Sequence, residues 1–145
     1  MNALRKPPLK NRYLAVKERL LLACQAHKRA LQDIRLLAVS KHHSSTKIEE
    51  LYHAGQREFG ENYASELLLK AAQLKHLEIK WVFIGQLQSN KIKRIVEHAH
   101  EIQSVASLKH LALIARYAEE LGKVPYPVFL EVNAGDEESK GGWRL

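Results

Sequence analysis

Five short strand-like segments recur along this chain at a spacing of a little over twenty residues, beginning near positions 34, 57, 80, 101 and 126. Between them lie stretches whose apolar residues fall at helical spacing. Strand then helix, repeated at that interval, is the rhythm of β/α units, whose parallel strands are joined by right-handed crossovers. The first run, Leu36-Leu37-Ala38-Val39-Ser40, shows no polar alternation and is expected to be a strand buried on both faces. Lys41 follows it directly. In β/α architectures functional groups gather at the carboxyl ends of strands. Burial disfavours a lysine's ammonium form, and the neutral amine can attack a carbonyl. Taken alone, a strand-terminal lysine more ordinarily carries its head into solvent.

The remaining elements follow from periodicity and punctuation. Tyr13, Leu14, Leu20, Leu21, Cys24 and Leu31 share one side of a helical wheel, which predicts an amphipathic helix over Asn11–Leu31. A first strand covers Ile34–Ser40. Thr46-Lys47-Ile48-Glu49 reads as a capping box opening a helix over about 46–54, stopped by Gly55. Strands over 57–61, 80–84, 101–105 and 126–132 alternate with helices over about 63–76, 87–98 and 108–121. Ser107 is expected to cap the last helix, and Gly122 to close it.

A chain of 145 residues suffices for one ordinary domain, here 11–145, after a basic lead over 1–10 that breaks at Pro7 and Pro8. No apolar run approaches a membrane span, and no membrane partner is expected. The lone Cys24 precludes an intrachain disulfide and favours a reducing, cytoplasmic setting. The net charge of +7 invites a nucleic-acid reading. Yet the basic residues mostly alternate with acidic ones, and few aromatics are placed to stack on bases, so no nucleic-acid partner is expected. His42-His43 and the His98/His100 pair come without a supporting ligand set and read as surface histidines, leaving no metal site.

Beyond the ends of three strands lie Phe59-Gly60-Glu61-Asn62-Tyr63, Phe83-Ile84-Gly85-Gln86-Leu87-Gln88-Ser89-Asn90-Lys91 and Asn133-Ala134-Gly135-Asp136-Glu137-Glu138-Ser139-Lys140-Gly141-Gly142. Each alone is ordinary capping and turn chemistry. Together they place amides, hydroxyls and glycines on the rim where Lys41 emerges. The alternation admits two architectures, a complete doubly wound sheet or the first five-eighths of a β/α barrel, whose usual length is about 250 residues.

Taken in order, Ala38-Val39-Ser40-Lys41, Phe59-Gly60-Glu61-Asn62-Tyr63, Phe83-Ile84-Gly85 with Leu87-Gln88-Ser89-Asn90-Lys91, and Glu138-Ser139-Lys140-Gly141-Gly142 resemble the pyridoxal phosphate homeostasis protein family. Its barrel is similar to that of alanine racemase. The resemblance covers nearly everything from Leu14 onward and implies an α/β fold, a partial (β/α)8 TIM-type barrel of about five units preceded by an amino-terminal helix. It implies further that pyridoxal 5′-phosphate is held as a Schiff base on Lys41, with Asn62 beside the cofactor. The family is regarded as a carrier or regulator of the vitamin B6 pool, with PLP-dependent apoenzymes as potential recipients and no established reaction. Two departures are Val82, where many members carry histidine, and His42-His43, where many carry threonine after the lysine. Members hold the cofactor phosphate in a serine- and glycine-rich segment of later strands. The chain is therefore expected to be an amino-terminal portion that binds cofactor weakly. It is expected to be monomeric, with self-association through open sheet edges as a hazard. The competing expectations are an amino-acid racemase, which would need a second acid/base residue that no segment here supplies, and a fragment without function of its own.

Overall fold

A computed structural model of the chain describes residues 7–135 and 142–143. The order of elements is α1 (Leu9–Ala26), a 3-10 turn (Leu31–Asp33), β1 (Ala38–Val39), α2 (Ser45–His53), β2 (Glu58–Glu61), α3 (Ala64–Gln73), β3 (Lys80–Phe83), α4 (Ile92–His98), β4 (Glu101–Val105), α5 (Leu108–Glu120) and β5 (Val128–Leu130). All strand pairs are parallel, and the sheet order is β1-β2-β3-β4-β5. Each strand therefore lies beside its neighbour in sequence. A doubly wound sheet would reverse direction at a switch point; consecutive winding is that of barrel staves. The chain is an α/β protein, a partial β/α barrel with five strands among the described residues, preceded by a helix. Among the described residues no helix is long and apolar enough to cross a membrane.

The core lies between the sheet and its helices. The register sets Phe59 against Trp81 and Phe83 against Ile102, and all four side chains are buried. Ile48 of α2, Leu67 of α3, Ile92, Ile95 and Val96 of α4, and Ile114 and Ala118 of α5 close over that row. The local signals act where expected in two helices. Ser107 Oγ accepts from the His110 N–H at 3.2 Å, and Gly122 leaves α5 at φ +65°. Lys123 Nζ donates to the Val96 and Glu97 carbonyls, satisfying the end of α4.

Several expectations are corrected. β1 is two residues long, and Val39 is 49 % exposed rather than buried on both faces. Among the described residues β1 has a neighbour on one side only, so the apolar run borders an open edge. α1 begins at Leu9, inside the expected lead, and ends at Ala26, where Lys28 turns the chain at φ +51°. Tyr13 and Cys24 are buried, but Leu14 and Leu21 are exposed, since α1 rests chiefly on α2; Leu31, also exposed, lies in the 3-10 turn. The Thr46 capping box does not form. Ser44 occupies the cap position without a side-chain bond, and its carbonyl accepts from Lys47 and Ile48. α4 starts at Ile92 rather than Leu87, because a turn closed by the Lys91 N–H on the Gln88 carbonyl occupies the intervening residues. Most of the Glu138–Gly142 motif lies outside the described residues.

Candidate functional site

β1 and β2 bring the two expected site residues to one rim. The register pairs Val39 with Gly60, and the Ser40 N–H donates to the Gly60 carbonyl at 2.9 Å. Lys41 and Asn62 are the next residues out. They leave adjacent strands, about 4.8 Å apart, at the same level. Lys41 is exposed and Asn62 half-buried. Asn62 is also the point where β2 meets the β3 loop. The Ile84 N–H donates to the Glu61 carbonyl at 2.9 Å, and a Cβ on Gly85 would fall 1.9 Å from the Asn62 carbonyl oxygen. Ser104 Oγ donates to the Gly85 carbonyl, tying β4 into the same rim. Asn62, Ser65, Phe83, Gln86, Gln88 and Lys91 help line a cavity of about 400 Å³; Lys41 does not border it.

Beneath Lys41 lies a buried ion-pair network that the sequence motifs did not reveal. Lys70 of α3 is 5 % exposed. Its Nζ donates to the Ser40 carbonyl and to Glu61 Oε1, each at 2.8 Å, and to Glu66 Oε2 at 2.6 Å. Ser40 Oγ donates to the same Glu61 Oε1 at 2.6 Å. Glu66 Oε2 also accepts from the His42 N–H at 2.9 Å, and the His42 ring lies against Glu66 and Tyr63. The hydrogen bond from Lys70 holds the Glu66 carboxyl below the usual carboxylate range; desolvation opposes it and the His42 N–H reinforces it. The signal that could have found Lys70 was its spacing. It falls three residues after Leu67 and four before Leu74, both buried, so a lysine sits on the apolar face of α3.

His42, His43 and His100 are exposed, as expected of surface histidines, and His98 is half-buried. His42 meets Glu66, and the His100 ring accepts from the Trp81 N–H at 3.2 Å. Val82, where many members carry histidine, is 1 % exposed and pairs with Gly60.

The residues present suit the aldehyde-bearing face of a pyridoxal ring: a primary amine open to solvent and, on the next strand, a carboxamide anchored by its own backbone. No family model matches the chain. A curated pyridoxal phosphate homeostasis protein of Schizosaccharomyces pombe is 41% identical over 113 residues, covering 77% of this chain and 47% of that protein. The one of Pseudomonas aeruginosa is 43% identical over 122 residues, covering 83% and 52%. The chain thus spans about half the length of the curated relatives it matches. Among solved structures, PipY of Synechococcus elongatus with PLP bound aligns at TM-score 0.78 and 34% identity, over 94% of this chain and 58% of that one. A protein of unknown function from Bifidobacterium adolescentis aligns at TM-score 0.83 and 33% identity, over 92% and 58%. In sequence and in fold alike, the chain is similar to the amino-terminal part of the pyridoxal phosphate homeostasis proteins.

Proposed function

We propose that the chain binds pyridoxal 5′-phosphate through Lys41, with Asn62 beside the ring, as a non-catalytic participant in vitamin B6 homeostasis. The observation that carries this reading is the emergence of Lys41 and Asn62 from adjacent strands at one level. The PLP-bound PipY structure and the names of the curated relatives support it. When bound, pyridoxal phosphate supplies an aldehyde carbon that takes a primary amine with loss of water. Lys41 Nζ provides the lone pair for that attachment, giving up a proton to solvent first. Asn62, its backbone wedged against Gly85, would offer its carboxamide to the bound group. Storage or delivery to PLP-dependent apoenzymes fits an attachment that solvent reverses. The solitary Cys24 agrees with a cytoplasmic setting.

Borohydride reduction after incubation with pyridoxal phosphate, followed by peptide mass analysis, tests the assignment. A stable adduct on the Lys41 peptide, absent from Lys41→Ala, is expected. An adduct that persists in Lys41→Ala, or none in the parent chain, overturns it.

A further inference from the structure

We infer that Lys70, acting with Glu66, is a positioning residue that fixes the direction in which Lys41 projects. The inference deepens the proposed function and rests on it. The Ser40 carbonyl belongs to the peptide group before the Lys41 Cα, and the His42 N–H to the one after it. Lys70 Nζ holds the first at 2.8 Å; Glu66, itself bound to Lys70 at 2.6 Å, holds the second at 2.9 Å. With both flanking peptide planes tied to one ion pair, rotation about the Lys41 backbone bonds is arrested, and its Cα–Cβ bond keeps one heading.

The turn needs such a restraint. His42 sits at φ +62°, a conformation costly for a residue with a Cβ. It would relax if the Glu66 bond were lost. The clamp is also built into the core rather than laid over it. Lys70 is 5 % exposed, and Glu61, its second carboxylate partner, is 0 % exposed and shares Oε1 with Ser40. The Lys70 Nζ is enclosed in the core and engaged by three oxygens, whereas Lys41 is exposed, so Lys70 does not compete with Lys41 for an aldehyde. One lysine is an anchor and the other a free amine. Preorganising the free one lowers the entropy lost when it attaches to a ring held in place.

The test compares the parent chain with Glu66→Gln and Lys70→Met, using Ile114→Val as a control that loosens the core away from the turn. Three quantities are read: His42 amide hydrogen exchange without cofactor, the dissociation constant for pyridoxal phosphate, and the induced circular dichroism of the attached chromophore per mole bound. Glu66→Gln is expected to speed His42 exchange, weaken binding by about tenfold or more, and diminish the induced signal. Ile114→Val is expected to lower the melting temperature and leave all three unchanged. If Lys70→Met does not fold, Glu66→Gln alone decides. Parent-like exchange, affinity and induced signal in Glu66→Gln overturn the inference while leaving Lys41 as the attachment point. Failure of the parent chain to attach cofactor at Lys41 overturns the proposed function, and this inference with it.

Discussion

A Cβ placed on Gly85 would lie 1.9 Å from the carbonyl oxygen of Asn62, closer than any side chain can approach backbone. The loop after β3 and the turn after β2 are therefore packed main chain to main chain. That contact sets where the Asn62 carboxamide stands relative to Lys41.

Gly85→Ala should accordingly force the two turns apart. We expect a loss of stability of about 1–3 kcal/mol, the usual cost of overpacking, and weaker retention of pyridoxal phosphate. Urea denaturation read beside a binding titration checks both. Unchanged values in both would mean that the turns yield freely.

Arg35 bridges two carboxylates at the other end of the strands. Its guanidinium reaches Glu58 at 2.7 Å and Glu101 at 2.8 Å, and the Glu101 side chain is 8% exposed. Removing the cation leaves two like charges on neighbouring parts of the sheet, one of them nearly buried. Because Arg35 itself is half exposed, Arg35→Met should cost about 1–2 kcal/mol, less than a fully buried pair. Adding Glu101→Gln should recover part of that loss, which a double-mutant cycle in denaturant would measure.

Ile95 is 1 % exposed in α4, within the layer between helices and sheet. Ile95→Ala should destabilise the protein by about 2–5 kcal/mol through lost burial and the cavity left behind. Thermal melting should show the drop, with a parallel-strand α/β circular dichroism spectrum retained below the transition.

His100 should make stability depend on pH near neutrality. Desolvation, with the Lys123 and Lys80 cations, holds its imidazole below the ordinary value of 6.5, and its Nδ1 accepts from the Trp81 N–H. The folded state thus favours the neutral ring. Its contribution is fully present above 6.5, where the unfolded chain is also neutral. It is lost as pH falls through the depressed folded value, because the unfolded state takes up the proton first. The melting temperature should fall by roughly 1–3 °C between pH 7.5 and 5.5, and His100→Asn should flatten that segment of the profile.

Much of the architecture was legible in the chain alone, since its signals are local. β4 runs over Glu101–Val105 as expected, and Ser107 and Gly122 bound α5 through bonds to their own neighbours. The shared rim of Lys41 and Asn62 was legible for a related reason. Whatever follows consecutive parallel strands must emerge on one side. Periodicity left a barrel and a doubly wound sheet both open, because strand order is a relation between segments and leaves no mark within any one of them; only the resemblance of the motifs pointed to the barrel.

Tertiary structure alone decided which residues those local patterns would meet. The predicted wheel over Asn11–Leu31 gathers six apolar residues, yet α1 rests chiefly on α2, and Leu14 and Leu21 remain exposed. The spacing of Lys70 sets it on the apolar face of α3 but not what it meets there; the fold brings Ser40, thirty positions away, to its Nζ. Periodicity determines which face of a helix is apolar, whereas burial and charge pairing depend on partners supplied from distant segments, and only the packed chain chooses them.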